Sequence, residues 1–197
     1  EVKKAPATTA PLFDADSAYA YVEKQESFGY RVPNTPAHKA WGDYLASELK
    51  RFGAQVYEQE ATLTAYDGTP LESRNIIGSF NPDKDKRILL FAHWDTRPYS
   101  DHDPDPANHK KPLDGADDGA SGVGALLEIA RQIGMKAPET GVDIIFFDAE
   151  DYGTPEFAKD RYNDTSDTWC LGSRFWGKNP HKPGYKAEFG ILLDMVG

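Results

Sequence analysis

The chain has 197 residues, of which 39% are hydrophobic and 27% are charged, a composition typical of a globular protein with one sizeable core. Its formal net charge of −10 disfavours nucleic acid and anionic lipid as partners, because their recognition needs patches of Lys and Arg. The single cysteine, Cys170, excludes a disulfide within the chain, and no apolar run approaches the length of a membrane span.

The start of the chain predicts a flexible lead followed by a first helix. Residues 1–13 are rich in Ala, Pro, Thr and Lys, a composition typical of a tether ahead of a folded domain. The domain is expected to extend over residues 14–197, with its first helix starting near Asp16 or Ser17. No internal repeat divides this range, so we expect a single domain.

A second helix and a hairpin are predicted next. Thr35 is suited to be an N-cap because Pro36 follows it at the first helical position, and Gly53 is suited to end the helix. The apolar stripe of this helix is expected to join the core and consists of Trp41, Tyr44, Leu45, Leu49 and Phe52. Residues 54–80 predict a β-hairpin with an Asp-Gly turn at 67–68.

The rest of the chain predicts apolar strands that alternate with helices. The predicted strands are 87–95, 142–151 and 189–197, and the predicted helices are 119–134 and 171–178. Strands that are apolar throughout are typical of a sheet covered on both faces, and the hairpin adds an antiparallel pair. The fold class is therefore expected to be α/β, with a mixed, mostly parallel central sheet and helices on both faces.

Acidic residues lie near the carboxyl end of each of the three predicted apolar strands and precede helix 119–134. If the strands are parallel, their carboxyl ends share the sheet edge at which open α/β folds bind ligands. The residues expected to converge there are His93, Asp95, Asp117, Asp118, Glu150, Asp151 and Asp194. A divalent cation would relieve the repulsion among so many acids, and histidine with carboxylate ligands suits zinc. The spacing alone leaves two interpretations open, a metal site or a set of solvated strand ends.

Several other residues invite a functional interpretation that the sequence does not favour. Four histidines lack paired ligands in sequence and are expected at the surface, namely His38, His102, His109 and His181. Cys170 is expected to be a small buried residue and not a nucleophile, because no base lies near it in motif spacing. Trp94 could equally form a pocket wall or part of the core.

Five motifs together point to a known family. They are "AHWD", "GADDGASGV", "FFDAED", "LGSRFW" and "LLDMVG", in this order from residue 90 onward. Their order and context resemble those of the zinc aminopeptidase superfamily, peptidase family M28, and most closely its glutaminyl cyclase branch in the bacterial, animal-like form. The longer stretches "HWDTRPYSDHDPDP" and "WCLGSRFW" resemble the bacterial cyclase-like members in particular. The resemblance extends from about residue 14 to the end and implies a zinc aminopeptidase-like fold.

The resemblance also implies roles for four acidic residues. Asp118 and Asp151 match zinc ligands, and Glu150 matches the catalytic acid/base. The superfamily usually has Glu at the second ligand position, so Asp151 has a shorter reach. Asp194 matches an active-site aspartate of the single-zinc cyclases and a second-metal ligand of the two-zinc peptidases.

Other parts of the family pattern concern the number of zinc ions and how much of the domain this range contains. His93 and Asp95 match the second-zinc histidine and its supporting acid in the peptidases, whereas the cyclase histidine at this position binds no metal. His93, Asp95 and Trp94 are therefore candidate second-metal or pocket residues. The third zinc ligand, a histidine, is expected beyond residue 197. The range 14–197 is thus expected to be the N-terminal two-thirds of one zinc-hydrolase-like domain, incomplete at its C-terminus and completed by the remaining polypeptide.

The implied activity is that of a glutaminyl cyclase, an acyltransferase. With one zinc, such an enzyme converts the N-terminal Gln of peptides or proteins to pyroglutamate and releases ammonia. An aminopeptidase with two zincs is the alternative, and a non-catalytic binding module on the same fold is a third possibility. By resemblance, the protein is expected in the bacterial periplasm or tethered by lipid in the cell envelope.

Overall fold

The structure, a computed structural model, describes residues 11–162 and 166–197. Most of the predicted lead therefore lies outside the described residues. The helices are α1 (Ala15–Glu26), α2 (Pro36–Arg51), α3 (Ala120–Met135) and α4 (Leu171–Lys178). The strands are β1 (Gln55–Thr64), β2 (Pro70–Phe80), β3 (Arg87–His93), β4 (Gly141–Phe147) and β5 (Phe189–Leu192). Among the described residues, no helix is both long and apolar enough to cross a membrane.

Side-chain caps fix where the first two helices begin. Asp14 is the N-cap of α1, and its carboxylate accepts a hydrogen bond from the Ser17 amide at 3.1 Å. The helix therefore starts slightly before the predicted position, because the capping oxygen comes from Asp14. Thr35 caps α2 as predicted, with Pro36 at its first position and the His38 amide donating to the Thr35 hydroxyl at 3.2 Å.

The five strands form one mixed sheet in the order β1-β2-β4-β3-β5. β2 runs antiparallel to both of its neighbours, and β3 runs parallel to β4 and β5, so only β2 opposes the direction of the others. The registers pair His93 with Phe147 and Phe91 with Leu192. The carboxyl ends of β3, β4 and β5 therefore lie at one edge of the sheet, as the sequence predicts.

Helices cover both faces of this sheet, which confirms the predicted architecture. In β2 and β4, Ile76 and Ile144 join one apolar cluster with residues of α2 and α3, and α1 packs on α3. Their neighbours Ile77 and Ile145 join a second cluster, against which Trp176 of α4 packs. This alternation follows from the two-residue side-chain period of a strand. The stripe of α2 lies in the first cluster, with Trp41, Leu45 and Leu49 fully buried.

The last strand is shorter than predicted. Residues 189–197 predict an apolar strand, but β5 ends at Leu192 and lies at the edge of the sheet. Phe189, Ile191 and Leu192 have exposed fractions of 53%, 46% and 53%. Within residues 11–162 and 166–197, only β3 pairs with β5, so the outer side of this strand has no strand partner.

Candidate active site

Asp95 connects the end of β3 to the loop that follows β4. The Trp94 amide donates to the Phe147 carbonyl at 3.0 Å, which extends the ladder past the end of β3. Asp95 is fully buried, and its two carboxylate oxygens accept the backbone N–H groups of Glu150 at 3.0 Å and Asp151 at 3.1 Å. Asp95 therefore fixes the backbone of both acids through hydrogen bonds from the main chain.

A turn at Asp148 ends β4 and contradicts the prediction that the strand continues to residue 151. The Asp148 carboxylate accepts hydrogen bonds from the Arg74 amide at 2.7 Å and the Ala149 amide at 2.7 Å. Ala149 adopts a left-handed backbone with φ of 50°. The strand ends because a carboxylate binds the amide groups that a continuing ladder would use. The turn delivers Glu150 and Asp151 to the carboxyl edge of the sheet.

His38 is part of this turn, and its predicted place at the surface is wrong. The residue is 5% exposed, and its Nε2 lies 2.8 Å from Asp148 Oδ1. The imidazole also stacks on Trp94, with ring centroids 4.2 Å apart and an angle of 16° between the planes. Trp94 is itself 1% exposed and belongs to the core cluster, which decides between the two interpretations of this residue.

Three predicted site residues form the one potential metal-binding group of His, Cys, Asp and Glu in the part of the chain that the structure describes. His93, Asp118 and Asp194 each offer a ligand atom, and these atoms lie within 4.8 Å of one another. His93 Nε2 lies 2.7 Å from Asp118 Oδ1 and 3.8 Å from Asp194 Oδ1. Gly119 allows this approach, because a Cβ there would lie 2.6 Å from His93 Nε2.

Asp117 and Asp95 are predicted site residues that lie outside this group and hold neighbouring parts of the chain in place. The Asp117 carboxylate accepts the Gly197 amide at 3.1 Å, so it ties the end of the chain to the loop before α3. Asp95 supports His93 as well as the loop, since its Oδ1 lies 3.5 Å from His93 Nδ1. Burial lowers the pKa of His93, but its contacts with Asp118 and Asp95 more than offset this and raise the pKa well above its ordinary value.

The adjacent acids Glu150 and Asp151 lie in the same electrostatic environment as this group. Burial raises the pKa of Glu150, and the charges of Asp95 and Asp118 add to the rise while His93 opposes it. Burial and the charge of Asp95 raise the pKa of Asp151 to about 8. A cation bound among these carboxylates would remove the repulsion that raises both pKa values.

The donor set fits zinc. One imidazole and several carboxylates are ligands that zinc accepts at about 2.0 to 2.2 Å, and ligands around one ion therefore lie roughly 3 to 4 Å apart. The separations of the His93, Asp118 and Asp194 donor atoms, all within 4.8 Å, are close to that requirement. The roles of individual residues as ligand or proton carrier remain predictions.

Cys170 touches the site, although the sequence shows no base near it. Its Sγ lies 3.2 Å from Glu150 Oε1, and its amide donates to the Glu150 carbonyl at 2.9 Å. Burial and the neighbouring Glu150 raise the pKa of the thiol to about 12, which agrees with the prediction that Cys170 is not a nucleophile. The side chain is half-buried, so the predicted burial is met only in part.

Arg97 is a second residue that the sequence does not single out. It lies in the stretch "HWDTRPYSDHDPDP", and its Nη1 is 3.3 Å from Asp151 Oδ1. In the sequence, the only signal that could have pointed to Arg97 is the resemblance of this stretch to the bacterial cyclases. Of the remaining histidines, His102 is exposed as predicted, whereas His109 and His181 are half-buried.

The chain is similar in sequence and fold to several solved proteins. A Zn-dependent exopeptidase from Parabacteroides distasonis ATCC 8503 is 76% identical, with a TM-score of 0.93 over 95% of this chain and 63% of that chain. The glutaminyl cyclase of Tannerella forsythia is 69% identical, with a TM-score of 0.91 over 95% of this chain and 63% of that one. Bacteroides thetaiotaomicron glutaminyl cyclase, bound to N-acetylhistamine, is 62% identical, with a TM-score of 0.93 over 95% of this chain and 64% of that one.

This chain matches only part of the length of the proteins that it resembles. The chain spans less than two thirds of each of these solved chains and less than half the length of the curated relatives that it matches. The family model described as Peptidase family M28 matches residues 75–197, which include β3, β4, β5 and all the acids of the candidate site. This chain is therefore a member of peptidase family M28.

Proposed function

We propose that the protein is a zinc-dependent glutaminyl cyclase that converts the N-terminal Gln of peptides or proteins to pyroglutamate and releases ammonia. The observation that carries this proposal is the similarity to two solved glutaminyl cyclases, at 69% and 62% identity over 95% of the chain. A location in the bacterial periplasm, or tethered by lipid in the envelope, is part of the proposal on the strength of the family resemblance.

The residues of this chain that would hold the metal are Asp118 and Asp151. The charge of Asp118 contributes to the raised pKa of both Glu150 and Asp151, which supports a shared site for these acids. When bound, zinc would polarise the side-chain carbonyl of the substrate Gln. One ion suffices for this chemistry.

Glu150 is the proposed proton carrier. The substrate α-amine forms a bond to the carbon of its own side-chain amide, and Glu150 takes a proton from the attacking nitrogen. The bond between that carbon and the side-chain nitrogen then breaks, and Glu150 returns the proton so that ammonia leaves. A carboxyl whose pKa is raised by burial is suited to both steps, because the ideal pKa of such a group lies near the working pH.

Asp194 and Asp95 are proposed to have different roles in the reaction. The Asp194 side chain is 41% exposed and lies 3.8 Å from His93, so a substrate amine can reach it and be oriented by its charge. Asp95 is fully buried and cannot touch a substrate. It would instead hold the backbone of Glu150 and Asp151 in place through the two hydrogen bonds described above.

A di-zinc aminopeptidase is the second candidate, and one observation favours it. His93, Asp118 and Asp194 offer three ligand atoms within 4.8 Å of one another, and His93 and Asp194 are the residues that match second-metal ligands of the peptidases. In that enzyme Glu150 would take a proton from the water that attacks the peptide carbonyl. A non-catalytic binding module is disfavoured, because the chain retains Glu150 together with all the acidic ligands.

Substrate and metal stoichiometry separate the two enzymes. The full-length protein should convert a Gln-initiated peptide with release of ammonia, and a chelator should abolish the reaction. The expected zinc content, measured by inductively coupled plasma mass spectrometry, is one ion per chain. Hydrolysis of a Leu-initiated peptide by a protein with two zinc ions would instead establish the aminopeptidase.

Two substitutions test the roles of the adjacent acids. Glu150→Gln keeps the shape of the side chain but removes its basicity, so zinc should be retained while turnover falls by roughly a hundredfold or more. Asp151→Ala should lose zinc and activity together. Near-full activity of the Glu150→Gln variant would show that Glu150 does not carry the proton.

A further inference from the structure

Arg97 is the cationic partner of the proposed ligand Asp151. Its Nη1 lies 3.3 Å from Asp151 Oδ1 and 3.3 Å from the Asp151 backbone carbonyl oxygen. The side chains of Arg97 and Asp151 are 7% and 9% exposed, so solvent screens this contact only weakly. Arg97 is thus the cation in direct contact with the Asp151 carboxylate.

Other contacts hold the Arg97 guanidinium in one orientation. Its Nε and Nη2 donate to the two carboxylate oxygens of Asp101, both at 2.8 Å, which is the two-point geometry that a planar guanidinium favours. Asp101 is 5% exposed and also accepts the Glu156 amide at 2.8 Å. The guanidinium lies 4.7 Å from the ring centre of Trp169. These contacts fix the orientation of Arg97 independently of its contact with Asp151.

These contacts leave one oxygen of Asp151 free. Oδ1 faces Arg97, and the Asp151 amide is held by Asp95 at 3.1 Å. Within the described residues, Oδ2 accepts no hydrogen bond from any residue. Aspartate is one methylene shorter than the glutamate that is usual at this position in the superfamily. A side chain with shorter reach needs a fixed backbone and a fixed orientation to meet a metal.

We propose that Arg97 is a positioning residue that orients Asp151 as a zinc ligand through a single oxygen. Its charge would also balance the negative charge of the acid cluster next to the ion. Because Arg97 would act on the metal only through Asp151, its loss would change zinc affinity and ligand geometry first, and turnover as a consequence. The inference rests on the proposed function, since it requires Asp151 to be a zinc ligand.

Zinc affinity of the full-length protein tests this inference. In competition with a chromogenic chelator, Arg97→Gln should bind zinc about 10- to 100-fold more weakly than the wild type, the usual effect of losing a residue that orients a ligand. The zinc affinity of Arg97→Lys should lie between those of the wild type and Arg97→Gln, because lysine keeps the charge but not the two-point contact with Asp101. Arg97→Lys also serves if Arg97→Gln does not fold.

Arg87→Gln is the matched control. Arg87 is 5% exposed and binds both carboxylate oxygens of Asp143, at 2.6 and 2.7 Å, but it lies at the start of β3, away from the acid cluster. Its substitution should lower the melting temperature and leave zinc affinity unchanged. A loss of zinc affinity in this control equal to that of Arg97→Gln would overturn the inference.

The absorption spectrum of the cobalt-substituted protein gives a second readout that a purely structural role would not move. The ligand-field bands should shift in Arg97→Gln and remain in place in Arg87→Gln. Wild-type zinc affinity and an unchanged cobalt spectrum in the Arg97 variants would overturn the inference. The Asp151→Ala variant distinguishes a failure of the proposed zinc ligands from a failure of the role proposed for Arg97. If it retains stoichiometric zinc, the proposed ligand set fails, whereas zinc loss there without any effect of Arg97 substitution rejects only the role of Arg97.

Discussion

Removal of the His38 side chain should destabilise the protein by several kcal/mol, although the sequence places this residue at the surface. His38→Ala deletes the hydrogen bond to Asp148 Oδ1 at 2.8 Å and leaves that carboxylate, which is 0% exposed, with one partner fewer. The substitution also deletes the ring that stacks on Trp94 at 4.2 Å. Both losses occur in the core, where water does not replace the lost partners.

The size of the effect follows from these two contacts. A buried polar group that loses a hydrogen-bond partner costs about 1 to 3 kcal/mol, and a stacked aromatic pair contributes about 0.5 to 1.5 kcal/mol beyond its buried area. Their sum is about 1.5 to 4.5 kcal/mol.

The assay is denaturant unfolding of the full-length protein, with the free energy taken from the midpoint and slope. His38→Gln should recover part of the loss, because its amide can donate to Asp148 but cannot stack as imidazole does. His102→Ala is the control, since His102 is exposed and its loss should change the free energy of unfolding by less than about 0.5 kcal/mol. A loss for His38→Ala no larger than that of His102→Ala would refute the reasoning.

Two further predictions concern the ionisable groups of the site. In the metal-free protein, the folded-state pKa of Asp151, about 8, lies above the ordinary value of 3.8, so the folded state binds an extra proton between these pH values and stability should fall as pH rises through this window. The melting temperature should therefore be higher at about pH 5 than at about pH 8, and Asp151→Asn should flatten the difference; an equal slope in that variant would contradict the assignment. Because the thiol pKa of Cys170 is raised to about 12, iodoacetamide at neutral pH should modify Cys170 in the native protein far more slowly than in the denatured protein, as measured by peptide mass spectrometry. Equal rates in the two states would show that burial does not protect the thiol.

Local sequence signals predict much of this fold because the interactions behind them are local. Thr35 caps α2 through an amide only three residues away, and the Asp-Gly turn at 67–68 joins β1 to β2. The acids at the ends of β3, β4 and β5 could also be predicted to share an edge, because parallel strands align their carboxyl ends. The pairing of neighbouring strands needs only apolar runs and the turns between them.

The contacts that the sequence does not reveal join residues far apart in the chain. His38 lies 110 residues from Asp148, and Arg97 lies 54 residues from Asp151. Cys170 reaches Glu150 across a loop of which residues 163–165 lie outside the described part of the chain. Each of these partners is polar on its own, so a sequence pattern cannot distinguish a solvated side chain from a buried one. Burial in a particular fold decides this, and with it the energetic weight of each contact.

The two segments that resemble bacterial cyclases meet at the adjacent acids after β4. Arg97 from the first segment contacts Asp151, and Cys170 from the second contacts Glu150. The two carboxyl groups therefore have different partners despite being neighbours in sequence. A fixed cation favours the ionised form of Asp151, which a metal ligand requires. A thiol of pKa about 12 is a weak donor that brings no positive charge, so it does not prevent Glu150 from accepting a proton. The turn after β4 would in this way supply the proposed metal ligand and the proposed proton carrier from two adjacent acids, because the rest of the fold gives each acid its own partner.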